Sequence, residues 1–145
     1  MSRKALKDLP LQEITLRKYE EPTAFNDREL VKKFCLSLGL LQPGDSRDII
    51  VDIFLILIKA RKDKQILPIN AILERLSNKE GASPSNVRRQ LRRLRSLKLV
   101  EKIPEGYRIT ESSKIEPLFD NYIIQFLVNP SLERIRNYIK IIDEL

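Results

Sequence analysis

The chain has 145 residues, 42% apolar, 32% charged and 6% aromatic, with 4 glycines and a net charge of +7. That is enough apolar material for one ordinary domain with a real core, and scarce glycine favours helices over a turn-rich β-sandwich. With no histidine and one cysteine, a zinc site, a Ser-His-Asp or Cys-His catalytic set and an intramolecular disulfide are excluded.

The lone cysteine fits a reducing compartment. The first residues lack the apolar stretch of a secretory signal, and the longest apolar run, Ile49–Ile58, is interrupted by Asp52 and too short for a membrane span. A soluble, cytoplasmic protein is expected, with no membrane partner. The four glycines are isolated, so no phosphate-cradling loop is present. No catalytic residue, cofactor or metal is expected, and no enzyme activity.

Residues 1–8 are basic and polar and read as a loose arm. In Leu9–Glu21, Ile14-Thr15-Leu16 reads as a short strand or as an extended arm clamped on the domain, ended by Pro22. Asn26 or Asp27 can cap a helix to about Leu38, with Leu30, Val31, Phe34, Cys35 and Leu38 on its apolar side and Gly39 as its C-cap. Cys35 is expected to pack as a small hydrophobe. Leu40-Leu41-Gln42-Pro43-Gly44 makes a turn.

Asp45 or Ser46 caps a second helix, about 46–61, apolar around most of its circumference. Asp48, Asp52 and Lys59 read as a narrow solvated strip on it, not as a catalytic carboxylate pair, because nothing nearby completes a site. A third helix spans 68–78, with Ile69, Ile72, Leu73 and Leu76 apolar. Asn78–Ala82 is the turn to the next.

Ser83 is a good N-cap and Pro84 suits the first helical position. Val87, Leu91, Leu94 and Leu97 then form one stripe, while Ser85, Arg88, Arg89, Arg92 and Ser96 point away from it and Arg93 and Arg95 flank the outer face. Residues 83–98 hold six bases and no acid, so the rest of the chain nets only +1. A salt-bridged surface helix would intersperse acids at i±4. An apolar back with an arginine-rich front suits a helix that seats on a core and enters a DNA major groove, since guanidinium pairs bidentately with phosphate or guanine.

Leu99-Val100 and Tyr107–Ile109 are β-prone runs around the Pro104-Glu105-Gly106 loop. A hairpin directly after the arginine helix reads as a wing, with Lys102 and Arg108 placed to touch backbone phosphate. Beyond Thr110, a helix of about 116–128 carries Leu118, Phe119, Tyr122, Ile123, Phe126 and Leu127. Asn129-Pro130 breaks it and starts another, about 130–143, with Leu132, Ile135, Tyr138, Ile139 and Ile142 on one stripe. The two final helices can hold dimer contacts.

With its helices at 46–61, 68–78 and 83–97, then Leu-Lys-Leu-Val-Glu-Lys and Gly-Tyr-Arg-Ile-Thr, the segment 46–110 resembles a winged helix-turn-helix domain of the kind common in archaeal and bacterial transcription regulators. The resemblance covers somewhat under half the chain. It implies a mainly α fold with a small β-hairpin wing, extended by N- and C-terminal helices. It also implies that helix 83–97 reads the major groove and the wing, 99–110, lies on the backbone. The expected organisation is an N-terminal arm and helix (1–45), the winged domain (46–110) and C-terminal helices (111–145). The expected function is sequence-specific binding of double-stranded DNA in transcription regulation, as a homodimer through the C-terminal helices, in the nucleoid-associated cytoplasm. Ser85, Asn86, Arg88, Arg89, Arg92, Arg93, Arg95, Lys102 and Arg108 are the candidate contacts. The competing reading is a protein- or RNA-interaction module in a transcription, replication or RNA-processing assembly. Its RNA form is weakened by the lack of aromatics on the arginine helix.

Overall fold

A helix that is apolar all round must be enclosed on all sides, and this is what happens to the second helix. In the computed structural model, which describes residues 7–145, α1 spans Asp27–Ser37, α2 Ile49–Arg61, α3 Ile69–Arg75 and α4 Pro84–Ser96. Ile50, Val51, Ile53, Phe54 and Leu57 of α2 are each no more than 2% exposed. They are covered by α1, α3, α4 and a hairpin, β1 (Val100–Ile103) with β2 (Gly106–Ile109). Phe34 of α1 meets Phe54 with ring centroids 5.8 Å apart. The fold is mainly α with one small antiparallel hairpin. Among the described residues, no helix is long and apolar enough to cross a membrane. Most of the basic arm read at 1–8 lies outside the described residues.

The hairpin register pairs Val100 with Ile109, Glu101 with Arg108, Lys102 with Tyr107 and Ile103 with Gly106. A single bridge from Leu67 to Tyr107 ties it to the segment before α3. That approach requires glycine at 106. Its φ is +143°, and an added Cβ would lie 2.5 Å from the Leu67 carbonyl oxygen. Between α4 and β1, the Leu99 N–H donates to the Leu94 carbonyl and the Lys98 N–H to that of Arg95, with Lys98 at φ +62°. These bonds form a Schellman closure, here without the usual glycine.

The segment ahead of α1 is an extended arm and contains no strand at 14–16. Arg17 clamps it. Its N–H donates to the Ser37 carbonyl at 2.9 Å, and its guanidinium donates to the carbonyls of Leu36 at 2.8 Å and Leu41 at 3.2 Å and to the Gln42 side chain. These are carbonyls around the end of α1, where a helix leaves acceptors unpaired and favours a cation. At the other end of α1 the cap is Asn26, whose Oδ1 accepts from the Glu29 N–H at 2.8 Å.

Two sequence expectations are corrected. First, α2 begins at Ile49, and Asp48 and Asp52 are not a solvated strip. Asp52 is only 8% exposed. Arg28 of α1 grips it with two parallel bonds, Nε to Oδ1 at 3.0 Å and Nη2 to Oδ2 at 2.9 Å. Lys79 donates to Oδ1 at 3.1 Å, while Asp48 pairs with Arg28 at 3.0 Å and Lys32 at 3.5 Å. An acid on an engulfed helix needs cations brought to it, because water is excluded.

Second, Asn129-Pro130 does not separate two helices. The chain is helical from Ile115–Leu118 (α5) through a π-helical stretch, Phe119–Val128, into α6, Asn129–Ile142. Proline removes the N–H that would bond the carbonyl four residues back. Here that is the carbonyl of Phe126, and Gln12 of the arm donates its side-chain amide to it at 2.7 Å. Pro130 also stands where the i→i+5 pattern gives way to i→i+4, so the ladder is already interrupted there.

Burial by itself would raise the Asp52 carboxyl, but hydrogen bonds from Arg28 and Lys79 outweigh it and hold it below the usual range. A carboxylate lowered in the folded state contributes stability that is present above the ordinary aspartate pKa of about 3.9 and is lost as pH falls through the lower folded value. The substitution Asp52→Asn should therefore lower stability at pH 7 by about 2 kcal/mol, discounted because Arg28 keeps part of its solvent contact. It should also flatten the fall of Tm below pH 4. Thermal melts at a series of pH values check both, and parallel Tm profiles for the two proteins would contradict the assignment.

Candidate nucleic-acid interface

Helix α4 is built as its sequence directs. The Asn86 N–H donates to Ser83 Oγ at 3.3 Å, Pro84 stands in the first turn, and Val87, Leu91 and Leu94 are fully buried. This fixes which arginines face out. Ser85, Arg88, Arg89, Arg92 and Arg95 are exposed, and no ion pair among the described residues involves the four arginines. Lys98 follows them at the helix end, exposed and likewise without a described carboxylate partner. Arg92, Arg95, Lys98 and Lys102 line an open cleft of about 530 Å³ between the end of α4, the wing and Tyr122, and Glu101 and Glu111 line it with them.

Three of the expected contacts are engaged elsewhere. Arg93 is half-buried, and its guanidinium donates to Gln90 Oε1 at 2.8 Å and to the Gly39 carbonyl at 3.4 Å. It reaches the end of α1, close enough to Cys35 to act on the thiol. Asn86 is half-buried too. Its amide donates to the Gly81 carbonyl at 2.8 Å and accepts from Gln90 at 3.1 Å, so it fastens the turn before α4. Arg108 donates to Glu101 Oε2 at 2.6 Å, directly across the hairpin.

The same Glu101 oxygen accepts the Glu111 N–H at 2.8 Å. Burial would raise the Glu101 carboxyl, but the Glu111 N–H and Arg108 outweigh it, and the group is held low. The arms of the wing therefore offer one cation, Lys102, which is exposed and lies 5.8 Å from the centroid of the Tyr107 ring. Lys98 was not among the sequence-derived contacts. Its place right after the last arginine turn was the available signal.

Cys35 is wholly buried, and burial pushes its thiol up to about 12, with Arg93 pulling weakly the other way. It packs as a small core residue. Among the described residues, no group of three carboxylate, imidazole or thiol side chains is placed to hold a metal ion. The chain matches no protein-family model, no curated protein and no solved structure.

The outward and inward arginines should separate in stability measurements. Arg88→Ala, Arg89→Ala and Arg92→Ala are each expected to stay within about 0.5 kcal/mol of the parent, as surface changes do. Arg93→Ala should cost about 1 kcal/mol or more, since it strips a donor from half-buried partners. Urea unfolding of the four variants measures the difference, and an Arg93→Ala midpoint equal to the others would remove the inward role.

Proposed function

We propose that the chain binds double-stranded DNA as a transcription regulator, with α4 in the major groove and the wing beside the backbone. The observation that carries this reading is the set of six exposed cations, Arg88, Arg89, Arg92, Arg95, Lys98 and Lys102, none of which is ion-paired with a described carboxylate. Holding like charges together disfavours the folded chain unless a polyanion is met. Arginine in four of the six places suits bidentate contact with phosphate or guanine. Ser85, exposed in the first turn, is placed to approach a base edge or phosphate. Two copies on a two-fold symmetric site, within the cytoplasm and its nucleoid, complete the reading. No reaction is proposed.

Salt titration of duplex binding tests it. If five or six cations replace counterions, log K should fall against log salt with a slope of about −5. Arg88→Ala, Arg89→Ala and Arg92→Ala should each weaken binding by about 1–3 kcal/mol where a base is read, or lower the slope by about one where only phosphate is touched. Arg93→Ala and Arg108→Ala, whose cations are already committed, should change it much less. Absence of duplex binding at low salt would sink the reading and turn attention to an acidic protein surface.

A further inference from the structure

Two hollows meet at the end of α4. One is the cationic cleft of about 530 Å³ between α4, the wing and Tyr122. The other, of about 320 Å³, has Leu97, Tyr122, Phe126 and Leu127 as its walls. Ser96, Lys98 and Tyr122 line both, so the two adjoin. We infer that together they hold a small amphipathic carboxylate. Its apolar body lies against Tyr122, Phe126 and Leu127, and its carboxylate lies among Arg92, Arg95, Lys98 and Lys102. This site goes beyond the duplex reading and stands whether or not α4 meets DNA.

The apolar wall is a product of the π-helical stretch. With bonds running from i to i+5, residues i+4 and i+5 both return to the face of residue i. In an α-helix the fifth residue is turned about 140° away, at ~100° per residue. The π register thus brings Phe126 and Leu127 together beside Tyr122, and the Tyr122 and Phe126 rings stack with centroids 6.5 Å apart. On the α4 side, Ser96 is too short to fill the space, and its hydroxyl donates to the Arg93 carbonyl at 2.7 Å. A hollow of this size, with aromatic walls and polar groups gathered at one end, has the make-up of a small-molecule site.

Charge selects the occupant. Among the described residues, four cations and two carboxylates line the cleft, and Glu101 is held by Arg108 and by the Glu111 N–H. That leaves Glu111 against four cations, none of them ion-paired with a described carboxylate. Lys98 stands at the junction with its backbone fixed. Its N–H donates to the Arg95 carbonyl at 2.9 Å, and its own carbonyl accepts from Thr110 Oγ1 at 2.6 Å. An anion on an apolar body satisfies both hollows, whereas an inorganic anion satisfies one. Residues 1–6 hold Arg3 and Lys4 and no acid, the wrong charge for this cleft. Four of the six cations in the proposed duplex contact line it, so an occupant competes with phosphate there.

Calorimetry of the full chain with 2-naphthoate, without DNA, tests this. Naphthoate should bind with a Kd of about 100 μM, ordinary for a ligand of its size. The uncharged 2-naphthamide should bind about tenfold more weakly, the share of one charge-assisted contact. Lys98→Gln and Phe126→Ala should each weaken naphthoate by a similar factor. Ser96→Trp, which fills the apolar hollow, should abolish binding with an unchanged circular-dichroism spectrum. If that spectrum changes, Lys98→Gln and Phe126→Ala, both at exposed positions, decide the outcome. Ile135→Glu/Ile139→Glu on α6 should bind as the parent does. No binding up to about 5 mM, a thousandth of the affinity at 5 μM, overturns the inference, as does equal affinity for the amide. Parent-like binding by Lys98→Gln and Phe126→Ala overturns it, and so does loss of binding in the α6 variant, which would move the ligand to the final helix. Because no DNA is present, failure here leaves the duplex reading as it stands, and failure of duplex binding leaves this site.

Discussion

Enclosure of α2 sets every other position in the molecule. A thirteen-residue helix with Ile50, Val51, Ile53, Phe54 and Leu57 almost without solvent contact leaves its neighbours little choice of face. Helix α1 turns Val31 and Cys35 to it, and α4 turns Val87, Leu91 and Leu94 to the same core. Once those leucines are fixed inward, helical geometry alone sends Arg88, Arg89 and Arg92 outward. The one acid within the enclosed stretch, Asp52, adds direction to a contact that apolar packing would leave free to slide. Its two parallel bonds to Arg28 set the register of α1 on α2, and Lys79 draws the turn before α4 to the same point.

This arrangement also sorts the charge. Asp48 and Asp52 are occupied by Arg28, Lys32 and Lys79, Glu20 by Lys33, Asp27 by Lys59 and Glu101 by Arg108. These carboxylates are spent on structure, and none of them pairs with an outward arginine of α4. Self-neutralisation of the wing has a consequence for the proposed DNA complex. With Arg108 held by Glu101, Lys102 alone represents the hairpin arms, and most counterion release has to come from α4 and its end.

How much was legible in the sequence follows from how local each signal is. The cap, proline and leucine stripe of α4 lie within sixteen residues and need no partner, so the helix, its ends and its outward arginines could all be read. The enclosure of α2 was legible from apolarity alone. Asp52 was misread because the helical wheel shows a polar strip but not the Arg28 that arrives from α1. An acid on a helix apolar elsewhere was nonetheless a signal that a cation must be near. Arg108 was readable too: a hairpin turning at 104–105 places residue 101 opposite 108. Pro130 was not, since the donor that relieves its missing N–H comes from Gln12, 114 residues from the carbonyl it satisfies. Arg93 and Asn86 differ from their exposed neighbours only through contacts with Gln90, Gly39 and Gly81.

The two unpartnered surfaces differ in a way that constrains how copies of this chain can approach. The α4 face concentrates positive charge, so two such faces repel across any distance shorter than the screening length, about 8 Å at physiological salt. The exposed stripe of α6 is apolar, and the helix that carries it holds three bases, Arg134, Arg136 and Lys140, against one acid, Glu133. The π-helical stretch lies between them, with Tyr122, Phe126 and Leu127 beside Ser96, Leu97 and Lys98 at the end of α4. A shift of the long helix would therefore be felt where the arginine helix ends. The Gln12 amide holds the Phe126 carbonyl just ahead of Pro130, where the helical register changes. The arm, remote from α4 in sequence, thus bears on the stretch that lies against the end of the arginine helix.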